Sequence, residues 1–236
     1  MMLMDDKKLE SIENLVRIER CSPPAAKQMM EAATFQSYDH KDIYGDFCQV
    51  QAYVDCPPEK IFEYMANVYM MEEWTYGIRS LKTTDQEGLY KGSDALVKDT
   101  AIYIKVHAIP KALVVDYHCA WDQRDELWMI YLYRIVPAQL VLGRRGSVIF
   151  WQNCRHPYYT DNPYPNKSPE GRIWVGQLWN LFPAGHAIEL NNLKSILEYR
   201  YRNNFLEIGS DLNQETSATR SIIKAASIEM CHESAS

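Results

Sequence analysis

The sequence lacks most of the patterns that identify common functional classes. Its 236 residues include six cysteines but no Cys-x-x-Cys pair, so neither a zinc knuckle nor a disulfide framework is indicated and reduced thiols are expected. No apolar run reaches about eighteen residues, so no membrane-spanning helix is predicted. A glycine-rich phosphate loop and a Gly-x-Ser-x-Gly elbow are also absent, which leaves nucleotide-dependent and serine-hydrolase functions without support.

An excess of positive charge is missing as well. The formal net charge is -6 at pH 7, whereas nucleic acids and anionic membranes are bound chiefly through Lys and Arg. We therefore expect no nucleic-acid partner and no membrane insertion. Residues 1–10 are charged and do not resemble a secretory leader, so a cytoplasmic protein is expected.

The composition is that of a folded chain, with 47% hydrophobic and 12% aromatic residues. We expect an N-terminal helical extension (1–45), a core domain (46–209) and a polar C-terminal tail (210–236). In the extension, Leu9, Ile12 and Leu15 recur near helical spacing, and a second helix is predicted from Ser22 through Met30. These helices are a candidate surface for homo-oligomer formation.

The most informative segment is VQAYVDCPPEKIFEYMANVYMMEEWTYGIRSLK, which begins at Val50. Apolar and polar residues alternate at its start, which predicts a half-buried strand. Pro58 then begins a helix, because proline fits the first helical turn. Asn67 interrupts the helix, and a second helical turn ends before Gly77 releases the chain into a return strand.

This segment resembles the opening of the START/SRPBCC superfamily, the helix-grip fold of the major birch pollen allergen, polyketide aromatase/cyclases and lipid-transfer domains. The superfamily pattern is a proline-led helix with an inner aromatic residue, a small-residue break, a tryptophan and a second strand, here Pro58, Phe62, Ala66, Trp74 and Ile78. The resemblance implies an α+β helix-grip fold, in which a curved antiparallel sheet of about seven strands wraps around a long C-terminal helix. A hydrophobic small-molecule ligand would occupy the space between helix and sheet.

Further strands are predicted from β-branched and aromatic residues, at Ala95–Val97, Ile102–Ala108, Leu113–Trp121, Leu127–Val136 and Ser147–Arg155. A two-residue turn after Ile109 would place Lys105 opposite Asp116 on the outer face. Continuing the pairing sets Trp121 opposite Leu127. The inner face then carries Tyr117, Met129, Tyr131 and Tyr133.

Two features follow the strands. Residues 155–172 contain four prolines and no apolar period, which predicts a long loop of the kind that forms lids or binding elements. A long helix is predicted after Pro183, with Gly209 as its end. Its apolar stripe is Leu190, Leu193, Leu197, Tyr201, Phe205 and Ile208.

His186 is the leading candidate for catalysis, because it lies one turn before Leu190 on the predicted inner stripe and histidine is suited to general-base chemistry near neutral pH. A structural histidine bonded to a nearby loop is the alternative. Arg155 and His156 lie where a strand meets the long loop, so they are candidates to close over a ligand or, alternatively, simple loop anchors.

Aromatic and apolar residues of the predicted inner surface are the candidate ligand contacts, although such residues more often form core. They are Trp74, Tyr117, Met129, Leu190 and Leu193, with Arg155 as an anchor. Tyr131 and Tyr133 add hydroxyl groups that need partners.

The resemblance implies an enzyme of the cyclase or lyase type in secondary metabolism, which would cyclise, dehydrate or decarboxylate a hydrophobic small molecule that is expected to be aromatic. His186 would be the base, Tyr131 or Tyr133 the donor to an oxyanion, and Arg155 or His156 the anchor. The alternative is a non-catalytic carrier of a lipid or pigment. His186 and Glu189 are spaced such that they could share a metal, but the other histidines do not form a ligand pattern, so neither a metal nor another cofactor is expected.

Overall fold

The fold is built on one seven-stranded antiparallel sheet, seen in a computed structural model that describes residues 3–13, 15–17, 23–37 and 45–206. The strands, in the spatial order β1-β7-β6-β5-β4-β3-β2, are β1 Phe47–Val54, β2 Ile78–Thr83, β3 Leu89–Asp94, β4 Thr100–Ile109, β5 Val114–Trp121, β6 Met129–Pro137 and β7 Ser147–Cys154. The helices are α1 Asp6–Glu10, α2 Pro23–Ser37, α3 Pro58–Ala66, α4 Met71–Trp74, α5 Ala138–Leu142 and α6 Phe182–Arg202.

The long helix α6 packs on the inner face of the sheet and contacts β1. Leu190, Leu193 and Leu197, on the apolar stripe of this helix, are buried. On the sheet, inner residues such as Ile104 and Ile135 are buried and alternate with more exposed neighbours, as expected for a sheet with one covered face. The predicted α+β helix-grip fold is therefore confirmed.

The predicted segment after β1 is confirmed in detail. Pro58 begins α3, and Asn67 ends it and accepts a hydrogen bond from the Tyr69 amide at 3.2 Å. A 3₁₀ turn and α4 follow before β2 begins at Ile78. Trp74, at the end of α4, is 1% exposed.

The hairpin between β4 and β5 has a different register from the predicted one. Lys105 pairs with His118, and Asp116 pairs with His107. The reason is that Leu113 adopts a left-handed conformation, with φ of 51°, after a 3₁₀ turn, so the connection is longer than two residues. Because the shift is by an even number of residues, the predicted faces are kept.

The register between β5 and β6 is as predicted, with Cys119 opposite Met129 and Tyr117 opposite Tyr131. The predicted strand at Ala95–Val97 is wrong, because these residues form a turn and the strand is β3, Leu89–Asp94. Strand β3 is difficult to predict from the sequence because it contains Gly92, and glycine is disfavoured in strands. A Cβ at Gly92 would lie 2.9 Å from the carbonyl oxygen of Arg79, so this close approach requires glycine.

The end of the long helix also differs from the prediction. Helix α6 ends at Arg202, before the predicted stop at Gly209, which lies outside the described residues together with Ile208. Tyr201 and Phe205 are exposed rather than buried on the stripe.

The long loop after β7 contains only 3₁₀ turns, at Pro157–Tyr159 and Pro165–Lys167. Arg172 at its end forms an ion pair with Asp122 whose side chains are 7% and 4% exposed. Trp128 packs against Tyr159, at 4.8 Å between ring centroids, and against Trp174 at 5.8 Å. The loop is thus held to the β5–β6 connection and leads directly into a cavity wall.

The described N-terminal residues pack against α4 and α6, where Met4 contacts Glu73 and Val16 contacts Asn192. The predicted first helix is too long, because α1 ends at Glu10 and residues 15–17 are irregular. Asn192 explains the irregular segment, since its side chain accepts from the Val16 amide at 3.1 Å and donates to the Val16 carbonyl at 2.7 Å. No helix among the described ranges is long and apolar enough to cross a membrane.

Candidate functional site

A cavity of about 470 Å³ lies between the inner face of the sheet and α6. Its lining includes residues from α2, α4, the inner strands, the segment 173–182 and α6. Pro24, Lys27 and Ile173 are the exposed members of this lining, so they mark the mouth. Because α2 supplies two of these residues, the N-terminal extension forms part of the cavity wall.

The cavity walls are mainly aromatic. Trp74 contacts Tyr117 and Tyr133, with 6.2 Å between ring centroids in each case. Tyr133 stacks on Trp151 at 4.8 Å with an interplanar angle of 27°. Tyr117 also donates its hydroxyl to the carbonyl oxygen of Met65 at 2.6 Å, so its ring is fixed and presents an apolar surface.

His186 is part of this aromatic wall. Its ring stacks on Trp151 at 4.0 Å, and its Nδ1 lies 3.2 Å from Cys48 Sγ. Burial lowers the pKa of His186 to about 3 and raises the pKa of Cys48 to about 12, so at pH 7 the imidazole is neutral and the thiol keeps its hydrogen. When that thiol donates to Nδ1, the ring hydrogen is on Nε2 and His186 acts as a donor.

A polar cluster lies next to His186 on the sheet. Asn153 is the cross-strand neighbour of both Cys48 and Tyr131. The Asn153 amide and the Tyr159 hydroxyl are buried and have no hydrogen-bond partner of ordinary geometry among the described residues. Burial raises the pKa of Tyr131 well above its ordinary value, so this phenol stays protonated at neutral pH and can act as a donor.

Two carboxyl groups line the cavity, Glu189 from α6 and Asp94 from the end of β3. Glu189 Oε1 accepts a hydrogen bond from the Tyr76 amide at 2.7 Å, and Asp94 Oδ1 accepts from the Leu96 amide at 2.9 Å. Burial raises the pKa of Glu189 to about 7 and that of Asp94 to about 6, against the lowering effect of Arg79. Glu189 is therefore the lining carboxyl that titrates nearest to neutral pH.

Neither carboxyl is among the site residues predicted from the sequence. Glu189 is one turn after His186, so helical spacing alone places both on one side of α6. No comparable signal points to Asp94, because the strand that it ends was not recognised.

Most of the predicted site residues lie in the cavity wall, and four do not. The lining contains His186, Tyr131, Tyr133, Trp74, Tyr117 and Met129. Leu190 and Leu193 are buried in the core outside the lining. Arg155 is exposed, and His156 Nδ1 accepts a hydrogen bond from the Tyr158 amide at 3.1 Å, which caps a 3₁₀ turn. The contact of His156 is that of a loop anchor.

Metal ligands are not grouped in the part of the chain that the structure describes. No cluster of three or more His, Cys, Asp or Glu residues there is arranged to hold a metal ion. His186 and Glu189 both line the cavity, but no third ligand joins them within the described ranges.

Comparisons with known proteins show that this chain is similar in fold to solved structures, and they do not establish its activity. Residues 40–152 match a family model described as a domain of unknown function (DUF8713). No curated protein matches the chain. Among solved structures, the chain is similar to the Zhui aromatase/cyclase from Streptomyces sp. R1128, with 12% identity, a TM-score of 0.45 and coverage of 65% of this chain and 94% of that one.

Two further structures have the same degree of likeness. A START superfamily protein from Mycobacterium smegmatis is 12% identical, with a TM-score of 0.42 and coverage of 68% of this chain and 99% of that chain. The protein TTHA0849 from Thermus thermophilus is 11% identical, with a TM-score of 0.44 and coverage of 64% and 96%. At such values the function of this chain has to be argued from its own cavity.

Proposed function

We propose that the chain binds an aromatic small molecule in the cavity and converts it by acid–base chemistry, through cyclisation, dehydration or decarboxylation. The observation that supports binding is the cavity itself, about 470 Å³ in volume with aromatic walls. Small-molecule sites typically measure about 300–1,000 Å³ and are mostly apolar, with a few polar groups that fix orientation. Rings such as Trp74 and Tyr133 offer flat surfaces to an aromatic ligand.

The acid–base part of the proposal is supported by Glu189. A group that exchanges protons efficiently has a pKa near the working pH, and the pKa of Glu189 is raised to about 7 by burial. We assign proton exchange to this carboxyl and hydrogen-bond donation to Tyr131 and Tyr133. The neutral His186 imidazole would orient the ligand as a hydrogen-bond donor, because a pKa of about 3 makes it a weak base at neutral pH, unlike the base predicted from the sequence.

Occupancy of the cavity is tested first, by native mass spectrometry of the purified full chain followed by denaturing extraction. A co-purified small molecule is expected. Val97→Trp places a large ring in the lining and should abolish the adduct. Val141→Trp is the matched control, because Val141 is 52% exposed and outside the lining. An adduct retained by Val97→Trp, or an empty wild-type protein, would contradict binding in this cavity.

Catalysis is tested by incubating the extracted molecule with the protein at saturating concentration. Conversion is expected with the wild type and a loss of about 10²-fold or more in rate with Glu189→Gln, since general acid–base catalysis contributes on that order. The amide of Gln can still accept the Tyr76 hydrogen bond, so the fold should be retained. Conversion at the wild-type rate would refute the role of Glu189.

A non-catalytic carrier is the second candidate. It is favoured by the low pKa of His186, about 3, and by the use of the Tyr117 hydroxyl in the fold, because both leave few groups free for chemistry. A ligand recovered unchanged after long incubation with the wild type would support the carrier.

A further inference from the structure

We propose that the ligand is an aromatic amine whose ammonium group binds between Glu189 and Asp94, with its ring against the aromatic wall. This inference rests on the proposed binding function and specifies the ligand class. The supporting observations are the placement of the two carboxyl groups and the few basic side chains in the described lining of the cavity.

The two carboxyl groups flank one short backbone segment, Tyr76 and Gly77. Glu189 Oε1 accepts from the Tyr76 amide. A Cβ at Gly77 would clash with Asp94 Oδ1, so that carboxyl lies directly against the next residue. Glu189 Oε2 has no hydrogen-bond partner within the described ranges. One oxygen of a cavity-lining carboxylate is therefore free to accept from a ligand.

The arginine side chains near these two carboxyl groups are engaged in other contacts. Arg79 donates to the carbonyl oxygens of Thr75 and Ile78, at 3.0 and 2.7 Å. Arg172 forms its ion pair with Asp122. The basic side chains in the lining are Lys27, at the mouth and 59% exposed, and the neutral His186.

The part of the cavity that Glu189 and Asp94 line is thus acidic, and Lys27 at the mouth is the one lysine or arginine in the described lining. An anionic ligand would meet two carboxyl groups there, whereas an ammonium group would form charge-assisted hydrogen bonds with them, in addition to the charge of Arg79 that already acts on both. The surrounding aromatic rings favour the same ligand, because their faces attract both a ring and a cation.

The test compares three indoles that differ at the end of the side chain: tryptamine, 3-ethylindole and indole-3-propionate. Binding to the full chain is measured by isothermal titration calorimetry at pH 8. Tryptamine is expected to bind at least about tenfold more tightly than 3-ethylindole, since a charge-assisted bond is worth about that ratio, and indole-3-propionate is expected to bind most weakly. Equal affinities would overturn the amine inference and leave the proposed aromatic-binding function standing. If none of the three binds, both fail.

Glu189→Gln isolates the contribution of the charge. Tryptamine should lose about tenfold in affinity, while 3-ethylindole should change less than about twofold. Glu87→Gln is the matched control, because Glu87 is exposed and outside the lining and the change in net charge is the same. An equal loss for tryptamine and 3-ethylindole would overturn the role of the Glu189 charge.

The affinity for tryptamine should also rise by about fivefold from pH 6 to pH 8, as Glu189 ionises with its pKa of about 7. The groups that act on this carboxyl are Asp94 and Arg79, and the neighbouring Cys119, Tyr131 and Tyr133 have raised pKa values and stay neutral over this range. 3-Ethylindole should show no such rise. A pH-independent affinity for tryptamine would contradict the inference.

Discussion

Replacing Glu189 with Gln should stabilise the ligand-free protein at alkaline pH and leave it unchanged near pH 4. The cause is that folding places this carboxyl in a cavity wall where ionisation is disfavoured, which raises its pKa from the ordinary 4.5 to about 7. Gln keeps the hydrogen bond to the Tyr76 amide but cannot ionise.

The sign and size of the effect follow from linkage. Below about pH 4.5 the carboxyl is protonated in both states, so it has no pH-dependent effect on folding. As the pH rises above 4.5, the unfolded chain ionises while the folded carboxyl keeps its proton, and stability falls until the folded group also ionises near pH 7. A pKa that rises from 4.5 to about 7 corresponds to about 3 kcal/mol, fully expressed near pH 8.

The assay is urea unfolding of the full chain between pH 4 and pH 9, followed by tryptophan fluorescence. The difference between Glu189→Gln and wild type should grow from near zero at pH 4 to about 3 kcal/mol at pH 8, which corresponds to a rise in Tm of about 6–12 °C for a chain of this size. Glu87→Gln should give a difference near zero throughout. A difference that does not depend on pH, or a wild type that is the more stable protein at pH 8, would refute the reasoning.

Two further predictions concern buried polar contacts. Arg200→Met should lower the free energy of unfolding by about 3–5 kcal/mol in urea titrations, because it leaves Glu73 without its ion-pair partner and the two side chains are 2% and 1% exposed. Tyr117→Phe should lower it by about 1–2 kcal/mol, because the carbonyl oxygen of Met65 loses its buried hydrogen bond at 2.6 Å.

Each of these has a matched control. Arg202→Met is two residues along the same helix and exposed, so its effect should stay within about 0.5 kcal/mol. Tyr103→Phe removes a hydroxyl from a half-buried residue whose ring contacts the exposed Lys91, and its effect should be similarly small. Equal losses in a variant and its control would show that the buried contact is not the cause.

The sequence predicts the fold well where residues that start or end a helix and the spacing of apolar residues indicate the same element. The turn from α3 to α4 follows from Pro58 and Asn67, and the inner face of β5 and β6 follows from alternation. The register error at Lys105 and Asp116 arises from the left-handed Leu113, which no periodic pattern reveals. The strand that ends at Asp94 is not evident from the sequence, because it contains Gly92. Glycine has a low strand propensity, but it is needed here for a close approach to the backbone of β2.

The candidate site is predictable only in part, because its chemistry depends on long-range contacts. The aromatic wall follows from strand alternation. The environment of His186 does not, since its neighbour Cys48 lies 138 positions away in the sequence. Glu189 and Asp94 similarly meet through tertiary packing around Tyr76 and Gly77, and their pKa values reflect burial that the sequence does not display.

The contribution of α6 and the N-terminal segment to the cavity bears on how the protein should be divided for experiments. A fragment limited to the matched residues 40–152 would end inside β7 and omit α6 and α2. It would expose the inner face of the sheet and delete Glu189, His186 and Arg200. The Glu73 carboxylate would also lose the Met4 amide, which donates to it at 2.7 Å. The unit that encloses the cavity is therefore larger than the unit that sequence similarity outlines, and truncation should be designed from the three-dimensional contacts.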